Sequence, residues 1–411
     1  MESIRTSRRA VLRLGLGAGA LIGIRPRLLS ALQEKPRKVR GVIWLWMDGG
    51  MSQVHTWDPK PRLETENPIK GIDTAVPGIQ VSELLPLCAA RMKDLVIIRS
   101  VLHHLGDSGV ATHLMHTGEI PKPHEVLPVI GTLLAHEIGM DEFPLPKYFS
   151  IGMPPFAPST AFNEELLPFE LNPRSPWILN TNRAVDRDRD RQRVTLLLQQ
   201  NEEWTASRLQ REATRVGRAL VQTEKLMNTP LLKAFNIHEE PADLRASYGG
   251  EFGARCLLAR RLTQAGCPFV AVSLKGWAPR GGAWVDYRTM ARTLDQGLGT
   301  LVKDLAEKDL LHQTLVVCAT EFGRLPGKPF GQPCPCKPRG FSVVLAGGYL
   351  SGGLVYGDTG PDGTRCEAPV SVEDLHATIF SACGLDWEKC FTVDTRQIKY
   401  ARNGRPVEPL F

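Results

Sequence analysis

Five nearly uninterrupted apolar runs constrain this chain more than any other feature. They are Val42 to Met47, Leu95 to Ile98, Phe269 to Leu274, Leu315 to Ala319 and Phe341 to Leu345, broken only by Ser273 and Ser342. A strand wet on one face alternates apolar and polar residues. A continuous run is what a strand needs when both faces are covered, as in parallel sheets. Helical patterns fill the intervals. Leu294, Leu298, Leu301, Val302 and Leu305 share one helical face ahead of the 315 run, and Glu251 to Ala265 reads as a helix stopped by Gly266. Buried strands alternating with helices predict an α/β fold, a three-layer α/β/α sandwich on a mostly parallel sheet. Residues 184–227 are polar and arginine-rich, with Leu197, Leu198, Leu209, Val216 and Leu220 as their one apolar stripe. They read as a helical insertion in a single domain spanning residues 40–400.

The N-terminus has a different character. Arg8-Arg9 precede a short apolar run, Leu14 to Ile24, too short to span a bilayer and shaped like the core of an export signal. Paired arginines there predict a twin-arginine leader over residues 1–31 and a periplasmic or otherwise exported protein. No uninterrupted apolar stretch of about 18 residues occurs, so no transmembrane helix is expected. The leader also decides the charge argument. Residues 1–31 hold six arginines and one glutamate, +5 of the formal +6 of the whole chain. The remainder is near +1, so a nucleic-acid reading, which needs a basic face, loses most of its support and no nucleic-acid partner is expected. Nine scattered cysteines do not make a disulfide framework. Cys88, Cys256, Cys318 and Cys383 sit within apolar runs and read as core.

The stretch "LVVCATEFGRLP", residues 315–326, ends an apolar run in a carboxylate, Glu321. Open α/β sheets build their sites at the carboxyl ends of strands. Asp48 follows the 42–47 run in the same way, and Ser108 begins a helical stretch after the 95–98 run. The three are therefore expected at one edge of the sheet.

Several blocks taken together resemble one family: "WMDGGMSQVHTWDPKP" (46–61), "HLMHTG" (113–118), "LRASYGGEFGARCLLARRLTQAGCPFVAV" (244–272), "TEFGRLP" (320–326), "LAGGYLSGG" (345–353) and "SVEDLHATIF" (371–380). They resemble the domain-of-unknown-function 1501 family, grouped with the alkaline phosphatases and sulfatases. The resemblance implies an alkaline-phosphatase-like sandwich. It also implies an ancestral ester-hydrolase site in which a divalent metal (zinc, magnesium or calcium), held by Asp and His, activates a hydroxyl. In that scheme Asp48, His55 and Glu321 are the candidate metal ligands, Ser108 the nucleophile and Arg324 a further catalytic group.

The chain departs from the family pattern at four places. His55 stands where the family shows Asp, and Asp107-Ser108 where it shows Asp-His. Ala278 and Arg280 replace the Asp and His of Gly-Trp-Asp-x-His, with Asp286 a few residues on. Pro335-Cys336 replace a second Asp-His. Cys334-Pro335-Cys336 lacks the second pair that a zinc site requires and reads as a rigid loop, with Cys366 or Cys390 as disulfide partners. Most of Glu321's expected partners are thus gone, and a lone carboxylate holds a divalent ion poorly. Glu321 is expected to pair with Arg324 or to cap the next turn, and His376 to pack on a helix. Arg280 is an expected contact for an anionic group. The expectation is an exported protein whose metal site is degraded and lost: a pseudoenzyme or anion-binding protein for an anionic ester or a sulfated or phosphorylated glycan. An active metal-dependent hydrolase using Ser108 is the first alternative. A glycan-binding scaffold, with Trp44, Trp46, Trp57, Trp277 and Trp284 as contacts, is the second.

Overall fold

The computed structural model describes residues 39–63, 69–154, 162, 166–174, 186, 188–189, 192–197, 199–200, 225–278, 286–324, 340–361, 363, 366–393 and 395–411. The expected leader, most of the expected insertion, and Arg280, Trp284, Cys334, Pro335 and Cys336 lie outside the described residues.

In chain order the strands are β1 (Gly41–Asp48), β2 (Gly71–Asp73), β3 (Gln80–Ser82), β4 (Leu95–Val101), β5 (Tyr148–Ile151), β6 (Phe169–Leu171), β7 (Phe269–Lys275), β8 (Thr314–Ala319), β9 (Phe341–Gly347), β10 (Leu354–Tyr356), β11 (Cys390–Val393) and β12 (Arg396–Lys399). Eight of them form one sheet in the order β10-β4-β9-β8-β1-β7-β5-β6. All five apolar runs of the sequence are strands of this sheet. β1 lies at its middle, parallel to β7 on one side and to β8 on the other. β9 runs antiparallel to both β4 and β8, so the sheet is mostly parallel with one reversed strand.

The helices used below are α1 (Pro86–Ala90), α2 (Ser108–Thr117), α3 (Ile130–Ile138), α4 (Ala242–Ser247), α5 (Glu251–Gln264), α6 (Tyr287–Glu307) and α7 (Val372–Ala382). Strand side chains alternate between two apolar layers. Ile43, Leu45 and Met47 of β1 pack with Leu257 and Leu258 of α5 and Leu294 and Leu298 of α6. Val42, Trp44 and Trp46 face the other way, with Met115 of α2, Leu133 of α3 and Ile379 of α7. This is the three-layer sandwich, with each face of the central strand fully covered.

Trp44, Trp46, Trp57 and Trp277 are 0% exposed, and Trp46 lies edge-on to His116 at 4.4 Å between ring centres. They are core side chains, and the expectation that they meet a glycan at the surface is wrong for these four.

Polar groups stitch the α5–α6 layer together. Arg260, 1% exposed, donates through Nε to Asp304 at 2.9 Å and pairs through Nη2 with Glu240 at 2.9 Å. Tyr248 donates its hydroxyl to the same Asp304 oxygen at 2.9 Å. Buried charge is tolerated only when paired in this way. Cys88, Cys256, Cys318 and Cys383 are buried free thiols, as the apolar runs implied. His376 is 1% exposed and donates through Nε2 to the carbonyl of Met115 at 2.9 Å, tying α7 to α2.

Candidate active site

β1, β8 and β4 all run in one direction, so their carboxyl ends open on the same edge of the sheet. β1 ends in Asp48 and turns through Gly49-Gly50, both at positive φ, +115° and +88°. β8 ends at Ala319 and delivers Thr320 and Glu321 beside that turn. β4 leads through residues 102–107 to α2, where Asp107 is the N-cap, its carboxylate accepting from Val110 N–H at 2.8 Å. Ser108 is therefore the first residue of the helix.

Glu321 is the centre of the arrangement. It is 0% exposed, yet its carboxylate is met by protein donors. Oε1 accepts from Gly49 N–H and from the Ser108 hydroxyl, each at 2.9 Å. Oε2 lies 3.2 Å from the Thr320 hydroxyl, which also reaches the Met47 carbonyl at 2.8 Å and accepts from Met51 N–H at 2.9 Å. Burial pushes the Glu321 carboxyl above its ordinary range, and the nearby Asp48 carboxylate adds to this. The Ser108 and Thr320 hydrogen bonds oppose it.

Arg324 does not pair with Glu321, contrary to the sequence expectation. Its Nε and Nη2 donate to the carbonyl of Gly49 at 2.8 and 2.5 Å, and Nε also reaches the Gly50 carbonyl at 3.1 Å. The guanidinium is 5.5 Å from the centre of the Phe322 ring. It is 8% exposed. The clamp is completed by Gln53, whose side-chain oxygen accepts from Arg324 N–H at 2.8 Å.

Asp48, Ser108 and Glu321 are thus brought to one edge. His55 takes part differently. It is 5% exposed, its Nδ1 is 2.7 Å from the Ser52 hydroxyl, and its ring lies 5.0 Å from that of Tyr287. Among the described residues no group of three His, Cys, Asp or Glu side chains is placed to hold a metal ion. Asp48, His55 and Glu321 therefore do not form a shared ligand set, and a divalent metal does not fit the residues described. Asp286 is also spoken for: it caps α6, accepting from Arg288 and Thr289 N–H at 3.1 Å each.

His103 was not singled out by sequence reasoning. Its Nε2 lies 2.5 Å from the Glu321 carbonyl, and its Nδ1 accepts from Leu105 N–H at 3.2 Å. These two partners place the ring proton on Nε2. Burial pushes its pKa down, against the pull of the Glu321 carbonyl. The ring thereby joins the β4 exit to the β8 exit. The signal that was available was a histidine pair, His103-His104, just after a strand and before Asp107-Ser108.

Several solved structures are similar to this chain. Ps i-CgsB is 12% identical, with 91% of this chain and 76% of that one covered and a TM-score of 0.45. A protein in the alkaline phosphatase superfamily from Vibrio parahaemolyticus is 12% identical, with 91% and 71% covered and a TM-score of 0.41. The PsFucS1 sulfatase from Pseudoalteromonas sp. is 13% identical, with 92% and 75% covered and a TM-score of 0.41. No protein of curated function matches the chain. The family model described as protein of unknown function DUF1501 matches residues 39–411, and the chain belongs to that family.

Proposed function

We propose that this protein is a metal-free member of the alkaline phosphatase and sulfatase grouping that binds an anionic ester, with sulfated or phosphorylated glycans as the ligand class. It does not hydrolyse that ligand through a divalent centre. The observation that carries the reading is the state of Glu321. A carboxylate ligand must turn lone pairs toward the metal; here Oε1 already accepts two protein donors at 2.9 Å. Asp48 is the ligand-type group left over, and one carboxylate supplies neither the charge nor the geometry that a divalent ion requires. Arg324 gives the site its attraction for an anion. It is a buried guanidinium with backbone carbonyls as its partners, and no carboxylate pairs with it among the described residues. An anionic group gains a charge-assisted hydrogen bond by docking there.

The test has two arms. After dialysis against zinc, elemental analysis of the full chain should find well under one metal ion per chain. Calorimetric titration with a sulfated oligosaccharide, beside its desulfated form, should show binding of the sulfated form that Arg324→Ala removes. One or more retained zinc ions per chain, with ester hydrolysis lost in Ser108→Ala, would replace this reading with that of an active metal-dependent hydrolase.

Residues 1–31 are proposed as a twin-arginine leader that takes the protein to the periplasm, on the strength of Arg8-Arg9 and the apolar run that follows. Replacing both arginines with lysine should hold the precursor in the cytoplasm, and undiminished periplasmic accumulation would refute the assignment. Among the described residues no helix is long and apolar enough to cross a membrane.

A further inference from the structure

The carboxylate that does not fit a metal accepts instead from a serine hydroxyl. We infer that Ser108 and Glu321 form a metal-independent nucleophile–base pair that cleaves an uncharged carboxylic ester on a ligand whose acidic group is held at Arg324. The inference rests on the metal-free reading above.

Four observations carry it. The Ser108 hydroxyl donates to Glu321 Oε1 at 2.9 Å, the contact that a base must make with the hydroxyl it activates. The two residues differ in exposure in the useful sense: Ser108 is exposed, while Glu321 is 0% exposed. An ester, and afterwards water, can therefore reach the Ser108 side of the pair, while Glu321 stays buried behind it. Glu321 is also held in place, by Gly49 N–H at 2.9 Å and through its carbonyl by His103 at 2.5 Å. Finally, Ser108 opens α2, where the first N–H groups have no intrahelical acceptor. Asp107 takes that of Val110, which leaves those of Ser108 and Gly109 beside the hydroxyl, able to receive an oxyanion.

The same surroundings select the electrophile. Ser108 lies between the Asp107 cap and Glu321, and Asp48 adds its charge beside Glu321, so with no metal to offset it a phosphate or sulfate centre is repelled. A neutral acyl ester is not. The acidic part of the ligand has its own place, because one residue links the two groups: Gly49 gives its N–H to Glu321 and its carbonyl to Arg324. An O-acylated glycan that also carries sulfate or phosphate meets both requirements.

The chemistry balances without a co-reactant other than water. Ser108 Oγ bonds to the acyl carbon as its proton passes to Glu321. The tetrahedral intermediate collapses with cleavage of the ester C–O bond, and the departing alkoxide takes the proton from Glu321. Water then attacks the acyl-serine, giving its proton to Glu321. Collapse breaks the Ser108 Oγ–C bond, the proton returns to Oγ, and the carboxylic acid leaves.

The probe is p-nitrophenyl acetate with the full chain in excess EDTA. Stopped-flow absorbance reads the nitrophenolate burst, and peptide mass spectrometry locates the acetyl group. The burst should persist in EDTA, with acetyl on Ser108. Ser108→Ala should abolish both. Glu321→Gln, which keeps an acceptor but takes no proton, should slow the burst by about 100-fold or more, with its thermal melting curve showing that it folds. If that variant does not fold, the exposed Ser108→Ala decides. Acetylation confined to lysines, or a burst of undiminished rate in folded Glu321→Gln, overturns the pair and leaves anion binding at Arg324 standing. Zinc retained before EDTA treatment, with a burst that EDTA removes, overturns the pair and the metal-free reading together.

Discussion

Gly50→Ala tests whether the turn after β1 is as tightly fixed as the site requires. Gly50 is buried, at φ +88°. A Cβ placed there would lie 2.6 and 2.8 Å from Cε2 and Cδ2 of Phe322 and 2.9 Å from Nε of Arg324. Neither neighbour has room to swing away, since Phe322 is 3% and Arg324 8% exposed. The left-handed backbone costs an alanine about 1–2 kcal/mol, and forcing extra carbon into a packed site costs a further ~1–3 kcal/mol. Gly50→Ala should therefore destabilise the chain by about 2–5 kcal/mol. Gly78 separates the two contributions. It has nearly the same φ, +82°, but nothing within 4 Å of its would-be Cβ. Gly78→Ala should then show only the backbone part, about 1–2 kcal/mol. Urea denaturation of both variants, with unchanged m-values, gives the comparison. Gly50→Ala should also weaken binding of the sulfated oligosaccharide, because Arg324 cannot keep its hold on the Gly49 carbonyl. If the two variants agree to within ~0.5 kcal/mol, about the spread of ordinary surface substitutions, the steric argument is wrong and the turn is softer than the geometry says.

The α5–α6 network and the acid limb of the stability curve give two further predictions. Asp304→Leu strips Arg260 and Tyr248 of their shared acceptor and should cost ~3–5 kcal/mol in urea denaturation; a loss under ~1 kcal/mol would show that Glu240 and Gln264 suffice to hold Arg260. As pH falls, stability should decline in two stages. His376, with its pKa pushed by burial from 6.5 to about 4, stays neutral in the folded chain while the unfolded chain takes up a proton, so stability drops as pH falls from 6.5 toward 4. Glu137 is held at about 2 rather than 4.5, first by the His136 hydrogen bond and then by Lys389 and Tyr400, against burial. Its contribution is complete above 4.5 and is lost as pH falls to about 2. Urea midpoints measured across this range should lose part of the upper stage in His376→Gln, where His116, with a pKa of about 3, still contributes. They should lose part of the lower stage in Glu137→Gln. A flat curve between pH 6.5 and 4 would refute the assignment of buried neutral histidines.

The strands were legible because continuous apolar runs have few alternatives, and the edge that gathers Asp48, Ser108 and Glu321 followed from strand direction. The direction of β9 was not legible: a strand covered on both faces has the same composition whether it runs parallel or antiparallel. The burial of Trp44 and Trp46 was legible in principle, because a strand covered on both faces buries a ring of either parity; reading them as surface contacts set residue type above the run they sit in. The pairing of Glu321 failed for a different reason. Arg324 is three residues away and of opposite charge, so sequence distance makes it the natural partner. At the end of a parallel sheet the nearest neighbour is instead the exit of the adjacent strand, 272 positions away in the chain. That exit is Gly49, and what it offers is backbone. Its N–H goes to the carboxylate and its carbonyl to the guanidinium, so each charge is met without the two side chains meeting. A sequence displays side chains and conceals peptide groups. A site that balances its charges on peptide groups therefore looks in sequence like a salt bridge. In the structure it is a carboxylate that accepts from Gly49 and Ser108 and a guanidinium held by the carbonyls of Gly49 and Gly50.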